Sequence, residues 1–112
     1  MKRPLVEALA RRPVARPPVW VMRQAGRYLP EYRELRSKHS FQEAVSNPAI
    51  AVELTLQPIR RFGMDGAVIF ADIMTPLEAM GVEMTFDPGP RLHPHTLDEV
   101  AALPNLDPDR VG

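Results

Sequence analysis

Thirteen prolines are spread through the 112 residues of this chain, and they limit the length of any regular element it can form. Average proline usage is about 5%. Proline lacks a backbone N–H and holds φ fixed, so it opens helices and turns but interrupts helix interiors and central strands. Because the prolines are dispersed, they read as punctuation between short elements and not as a polyproline linker. The stretches between them have globular composition, 45% hydrophobic and 25% charged, so disorder is not expected. The length suits one small domain.

Fourteen basic and 14 acidic side chains give zero net charge. That argues against a general nucleic-acid or membrane-surface binder, which carries a basic excess. The basic residues are Arg apart from Lys2 and Lys38. There is no cysteine, which excludes disulfides, thiol nucleophiles and Cys-based zinc sites. The start, MKRPLVEALARRP, is basic but has no sustained apolar core and makes a poor signal peptide. No run approaches the roughly 18 apolar residues of a membrane span. A cytosolic protein is the expectation.

Residues 1–16 read as an N-terminal extension with a helix over Pro4 to Arg12, ended by PVARPP. Val19 to Met22 is an apolar, β-prone run that predicts a buried strand, and Gln24 to Pro30 the loop after it. Glu31 to His39 favours helix, and Ser40 to Glu43 has the form of a capping box. Asn47-Pro48 predicts the start of a further helix, with Ile50, Val52, Leu54, Leu56, Ile59 and Phe62 at helical spacing, a kink at Pro58 and a stop at Gly63. Ala67 to Ala71, AVIFA, predicts a strand covered on both faces, as in a parallel sheet. Thr75 to Glu78 has a second capping-box pattern, opening a helix that ends at Gly81. Val82 to Phe86 reads as a third strand or hairpin arm, Asp87 to Pro90 as a turn, and Thr96 to Glu99 as the cap of a last helix through Leu103. Strand, helices, strand, helix in that order predict an α/β layout with parallel strands.

In such a layout ligands gather at the carboxyl ends of the strands. The first strand-end loop offers Arg23, Gln24, Ala25, Gly26 and Arg27, and the second offers Asp72. Two guanidinium groups beside Gly26, with its accessible backbone amide, suit an anion. The plainer alternative is a pair of surface arginines bridged to Glu31, Glu34 or another acid. An Asp after a strand commonly caps the next helix. Here Thr75, Pro76 and Glu78 read as that cap, which leaves Asp72 free for a ligand's cation or N–H groups. His93 and His95 lack acidic or thiol company for a metal. The methionines read as core filler, and Arg60-Arg61 as a solvated pair at a helix C-terminus.

The run PVWVMRQAGRYLPEYRELR resembles the N-terminal signature of the uroporphyrinogen decarboxylases. NPAIAVELTLQPIRRFGMDGAVIFADIMTPLEAMG is similar to the segment that follows in that family, so the resemblance covers residues 17 to 112. It implies a (β/α)8 TIM barrel, present here as two or three N-terminal βα units, that forms a homodimer and uses no cofactor or metal. It implies stepwise decarboxylation of the four acetate side chains of uroporphyrinogen III to coproporphyrinogen III and CO2.

Carried onto this sequence, the resemblance makes Arg23 and Arg27 the arginines on substrate carboxylates, with the backbone of Gln24, Ala25 and Gly26 between them. Arg36 is a further carboxylate contact, and Asp72 the catalytic aspartate. A carboxylate among four pyrrole N–H groups would hold the macrocycle and stabilise the cation formed when a pyrrole carbon is protonated. The proton would come from a substrate-bound arginine such as Arg23, or from a water. A barrel takes about 250 residues. The family's later contacts, a tyrosine, a serine or threonine, and a histidine, are therefore expected beyond this sequence, and the 112 residues alone are expected to be inactive. Two other classes stay open. One is an inactive fragment or pseudoenzyme that binds porphyrinogen or a partner chain. The other is a corrinoid-linked methyltransferase.

Overall fold

The computed structural model describes residues 3–86, 89–93, 95–105 and 109. They fall into two compact units, 1–70 and 71–112.

The first unit is helical. Its elements are α1 (Pro4–Leu9), α2 (Pro30–Lys38), α3 (Phe41–Ser46) and α4 (Pro48–Phe62). Proline opens three of them: Pro4, Pro30 and Pro48 stand at the first helical positions, where the missing N–H has no intrahelical partner to lose. Ser40 accepts from the Glu43 N–H, while Glu43 Oε1 meets His39 Nδ1 at 2.9 Å. Asn47 Oδ1 accepts from the Ala49 N–H. Gly63 ends α4 at φ 63°, the left-handed conformation read from its sequence position.

Leu29, Tyr32, Ala44, Ile50 and Leu54 form the core, with Leu35 and Phe70 packed against it. The buried face of α4 runs through Ile50, Ala51, Leu54, Thr55, Gln57 and Pro58, so the predicted stripe is displaced: Val52, Leu56 and Phe62 are exposed. Pro58 lies fully buried inside the helix.

Neither strand predicted in this part of the chain forms a sheet. Val19, Trp20, Val21 and Met22 are irregular and exposed, as are Val68 and Ile69. A strand is completed by a neighbour's row of donors and acceptors. Each segment is held here by isolated bonds instead. The Asp65 N–H donates to the Val19 carbonyl at 2.9 Å, the Val19 N–H donates to Asp65 Oδ2 at 2.8 Å, and the Phe70 N–H donates to Thr55 Oγ1 at 2.8 Å.

The second unit contains α5 (Thr75–Ala79), β1 (Met84–Phe86), β2 (Pro90–Leu92) and α6 (Leu97–Ala101). The two strands are antiparallel, pairing Met84 with Leu92, Thr85 with Arg91 and Phe86 with Pro90. Val82 to Phe86 is thus a hairpin arm, and among the described residues the only sheet is antiparallel. No parallel pairing forms among the described residues. Of the predicted turn, Asp87 and Pro88 lie outside the described residues. Thr96 and Glu99 complete a reciprocal capping box on α6, which ends at Ala101, short of Leu103.

Candidate functional site

The loop before α2 carries five of the seven residues singled out in the sequence. Its left-handed turn falls on Arg23, at φ 57°, and not on Gly26. A left-handed residue other than glycine costs about 1–2 kcal/mol, and the chain holds it there with a bond from the Gln24 N–H to the Val21 carbonyl at 3.1 Å. The Leu29 N–H then donates to the Gly26 carbonyl at 3.0 Å, and Leu29, 1% exposed, anchors the loop's end in the core.

Within that loop the side chains divide. Gln24 is 4% exposed, and neither Oε1 nor Nε2 has a partner among the described residues. Ala25 and Gly26 are half-buried, while Arg23 and Arg27 are exposed. A Cβ added at Gly26 would stand 3.4 Å from the Arg23 carbonyl oxygen and 3.5 Å from the Tyr28 ring. Those are ordinary contacts, so local packing alone does not require glycine at this position.

The acids that would have neutralised the arginines are engaged elsewhere. Glu31 takes a two-pronged bond from Arg61, Nε at 2.8 Å and Nη2 at 2.9 Å. That bond, then the residue's own backbone N–H, holds its carboxyl below the ordinary 4.5. Glu34 pairs with Lys38 at 3.1 Å. Neither Glu31 nor Glu34 is thus a partner of Arg23 or Arg27 among the described residues. Among the described residues neither guanidinium makes a hydrogen bond or ion pair, so both are available to an anion. Arg60-Arg61 is likewise not merely solvated. Arg60 makes two bonds of 2.8 Å to Glu53, in addition to the Arg61 pair.

Arg36, on the last turn of α2, is half-buried. Its Nη1 donates to the His39 carbonyl, and its guanidinium lies 5.6 Å from the centre of the Phe41 ring. One nitrogen of its fork thus caps a helix end, and a cation–π contact steadies the rest.

Asp72 belongs to the second unit. The capping box expected at Thr75 is not formed: Met74 is the N-cap residue of α5, and it makes no side-chain capping bond. The Thr75 hydroxyl donates instead to the Asp72 carbonyl oxygen at 2.8 Å, with the Thr75 N–H at 3.3 Å. Asp72 is held by its backbone, and its half-buried carboxylate has no partner among the described residues. Two clefts, one around Arg60 and Glu53 and the other around Gly81 and His93, are lined by none of these seven residues.

Two residues that the sequence reading passed over tie the loop down. The Tyr28 hydroxyl donates to the Gln24 carbonyl, and its ring stacks on Phe62 with centroids 6.4 Å apart. Arg33 Nη1 donates to the Arg27 carbonyl at 2.9 Å. Both lie inside the RQAGRYLPEYR string, which was their only signal in the sequence.

The geometry is that of a short helical unit presenting two unpartnered guanidiniums on a braced loop. Its family follows from comparison. The sequence model described as Uroporphyrinogen decarboxylase (URO-D) matches residues 1–112, and the chain belongs to that family. Proteins named uroporphyrinogen decarboxylase from Gloeobacter violaceus and Chloroflexus aggregans are 50% identical over 109 residues and 48% over 115. Those matches cover 94% and 96% of this chain but 31% and 32% of the relatives. A protein of that name from Alkalilimnicola ehrlichii is 57% identical over 86 residues, 76% of this chain and 24% of its own. The chain thus spans about a third of the length of the curated relatives it matches. No helix among the described residues is long and apolar enough to cross a membrane.

Proposed function

We propose that this chain contributes the carboxylate-gripping and proton-managing part of a uroporphyrinogen decarboxylase, converting uroporphyrinogen III to coproporphyrinogen III with release of four CO2. The observation that carries this reading is the pair of unpartnered guanidiniums, Arg23 and Arg27, on a loop whose neighbouring acids are bound elsewhere. A macrocycle bearing eight carboxylates needs such groups to be held. In this reading Arg36 adds a further contact through the free part of its fork, and the backbone of Gln24, Ala25 and Gly26 spans the two arginines.

Asp72 is the catalytic carboxylate. Placed against the pyrrole N–H groups, it favours the cation formed when a ring carbon takes a proton, with Arg23 or a water as the proton source. The acetate C–C bond then breaks with its electron pair moving into the ring cation as an exocyclic C=C and CO2 leaves; the methylene carbon takes a proton to become methyl as the proton first added to the ring carbon is lost. A fixed charge aimed at a developing opposite charge is the most effective single catalytic device available. The names of the relatives support the substrate and the reaction. The proposal extends to the family's (β/α)8 barrel, with residues 1–112 as one partial domain of it, to a cytosolic homodimer, and to chemistry without metal or cofactor.

The test is a titration of uroporphyrin III followed by its Soret absorption. Replacing Arg23 and Arg27 together by Ala should weaken binding at least tenfold, since two charge-assisted contacts are lost. Unchanged affinity would remove the loop from the site. Coproporphyrinogen formation, assayed alongside, separates a working decarboxylase from a chain that only binds porphyrinogens.

A further inference from the structure

We propose that Arg33 is a positioning residue for the arginine loop, holding Arg27 through its backbone so that the Arg27 guanidinium meets a carboxylate without first being ordered. The inference rests on the carboxylate-binding reading of that loop. Arg33 Nη1 reaches back six residues to the Arg27 carbonyl at 2.9 Å. The base of this strut is firm: the Arg33 N–H donates to the Leu29 carbonyl at 3.1 Å, and α2 is seated in the core by Leu29 and Tyr32.

An exposed arginine on a carbonyl would ordinarily be diverted by the nearest acid. Glu31 is close enough for Arg33 to help lower its pKa, yet both its oxygens are taken by Arg61. Glu34 is taken by Lys38. The guanidinium therefore stays on the carbonyl. Tyr28 holds the Gln24 carbonyl at the other end of the loop, so the segment between the two free arginines is braced on both sides. Ordering a flexible side chain and loop on binding costs affinity, and bracing them beforehand removes part of that cost.

The probe is uroporphyrin III, titrated onto the chain and four variants: Arg33→Ala, Arg33→Lys, Arg27→Ala and the Arg27→Ala/Arg33→Ala pair. Arg33→Ala should raise Kd about five- to tenfold, as loss of one charged hydrogen bond would. Arg33→Lys, which keeps a cationic donor, should recover part of that. The pair should bind no more weakly than Arg27→Ala alone, because a strut has nothing left to position. A neutral Arg33→Ala, or an additive pair, overturns the assignment while leaving the carboxylate reading intact. A neutral Arg27→Ala removes Arg27 from the carboxylate site and overturns the strut with it, while the reading of the loop as a whole is judged by the Arg23→Ala/Arg27→Ala pair. Should Arg33→Ala fail to fold, as judged by far-UV circular dichroism, Arg33→Met keeps an apolar stem without a donor and takes its place in the cycle.

Discussion

Arg61, on the last turn of α4, holds both oxygens of Glu31, on the first turn of α2, at 2.8 and 2.9 Å. The two residues are thirty positions apart. Their pairing keeps the acid that follows the arginine loop away from it.

Removing Arg61 tests that consequence. Exposed ion pairs stabilise little, so Arg61→Ala should shift the urea midpoint only slightly. Uroporphyrin affinity should fall more noticeably, because the released Glu31 carboxylate competes for Arg33 and adds negative charge beside the loop. Adding Glu31→Gln should restore binding. If the double variant binds as weakly as Arg61→Ala alone, Arg61 acts by some other route.

Thr55 links the core helix to the segment around Phe70. Its hydroxyl donates to the Ala51 carbonyl at 2.7 Å and accepts from the Phe70 N–H at 2.8 Å. Thr55→Val keeps the shape but strands the Phe70 N–H, which should cost about 1–3 kcal/mol and speed hydrogen exchange at that amide. Leu54→Ala, next to it and fully buried, should cost about 2–5 kcal/mol through the cavity it leaves. Equal exchange at Phe70 in Thr55→Val and the parent would dismiss the tether.

Asp65 supplies a pH signature. Its carboxyl is held below the ordinary 3.8, first by hydrogen bonds from Arg16 at 2.6 and 2.9 Å and then by the Val19 N–H. A carboxyl lowered in the folded state stabilises the fold fully above its unfolded pKa, and the contribution disappears as pH falls through the folded value. Arg16→Ala should thus be less stable than the parent at neutral pH, with the two urea midpoints converging as pH falls below the ordinary carboxylate range and Asp65 takes up its proton. A gap of constant size across that range would assign the loss to packing instead.

For Asp72, the informative readout is the split between turnover and binding. In a decarboxylase carrying this segment, Asp72→Asn should retain uroporphyrin within a few-fold of the parent, because the amide keeps the shape and a hydrogen-bonding oxygen. It should lose coproporphyrinogen formation by at least a hundredfold, since the charge that stabilises the cation is gone. Activity near that of the parent would remove Asp72 from the chemistry.

Local chemistry was legible where local chemistry decides. Pro4 and Pro48 open helices because a first-turn residue has no bond to lose, as does Pro30, which was read as the end of a loop; Asn47 and Thr96 cap because their oxygens reach N–H groups two or three residues on, and Gly63 turns left because it has no Cβ. The same reasoning failed at Thr75, where the expected cap gave way to a bond back to Asp72. The AVIFA and VWVM runs were read as strands on apolar content, and nothing in their own residues supplies the neighbouring ladder that makes a strand.

The string RQAGRYLPE pointed to the family and nominated Arg23 and Arg27, and the later run FADIM nominated Asp72, because a signature is a property of order along the chain. Which arginines stay free was settled only by the fold. Bringing Arg61 to Glu31 across thirty residues needs α4 packed near α2, and setting Arg33 against the Arg27 carbonyl needs a loop turned left at Arg23. A charged side chain takes whichever partner is nearest in space, and sequence spacing does not state that distance.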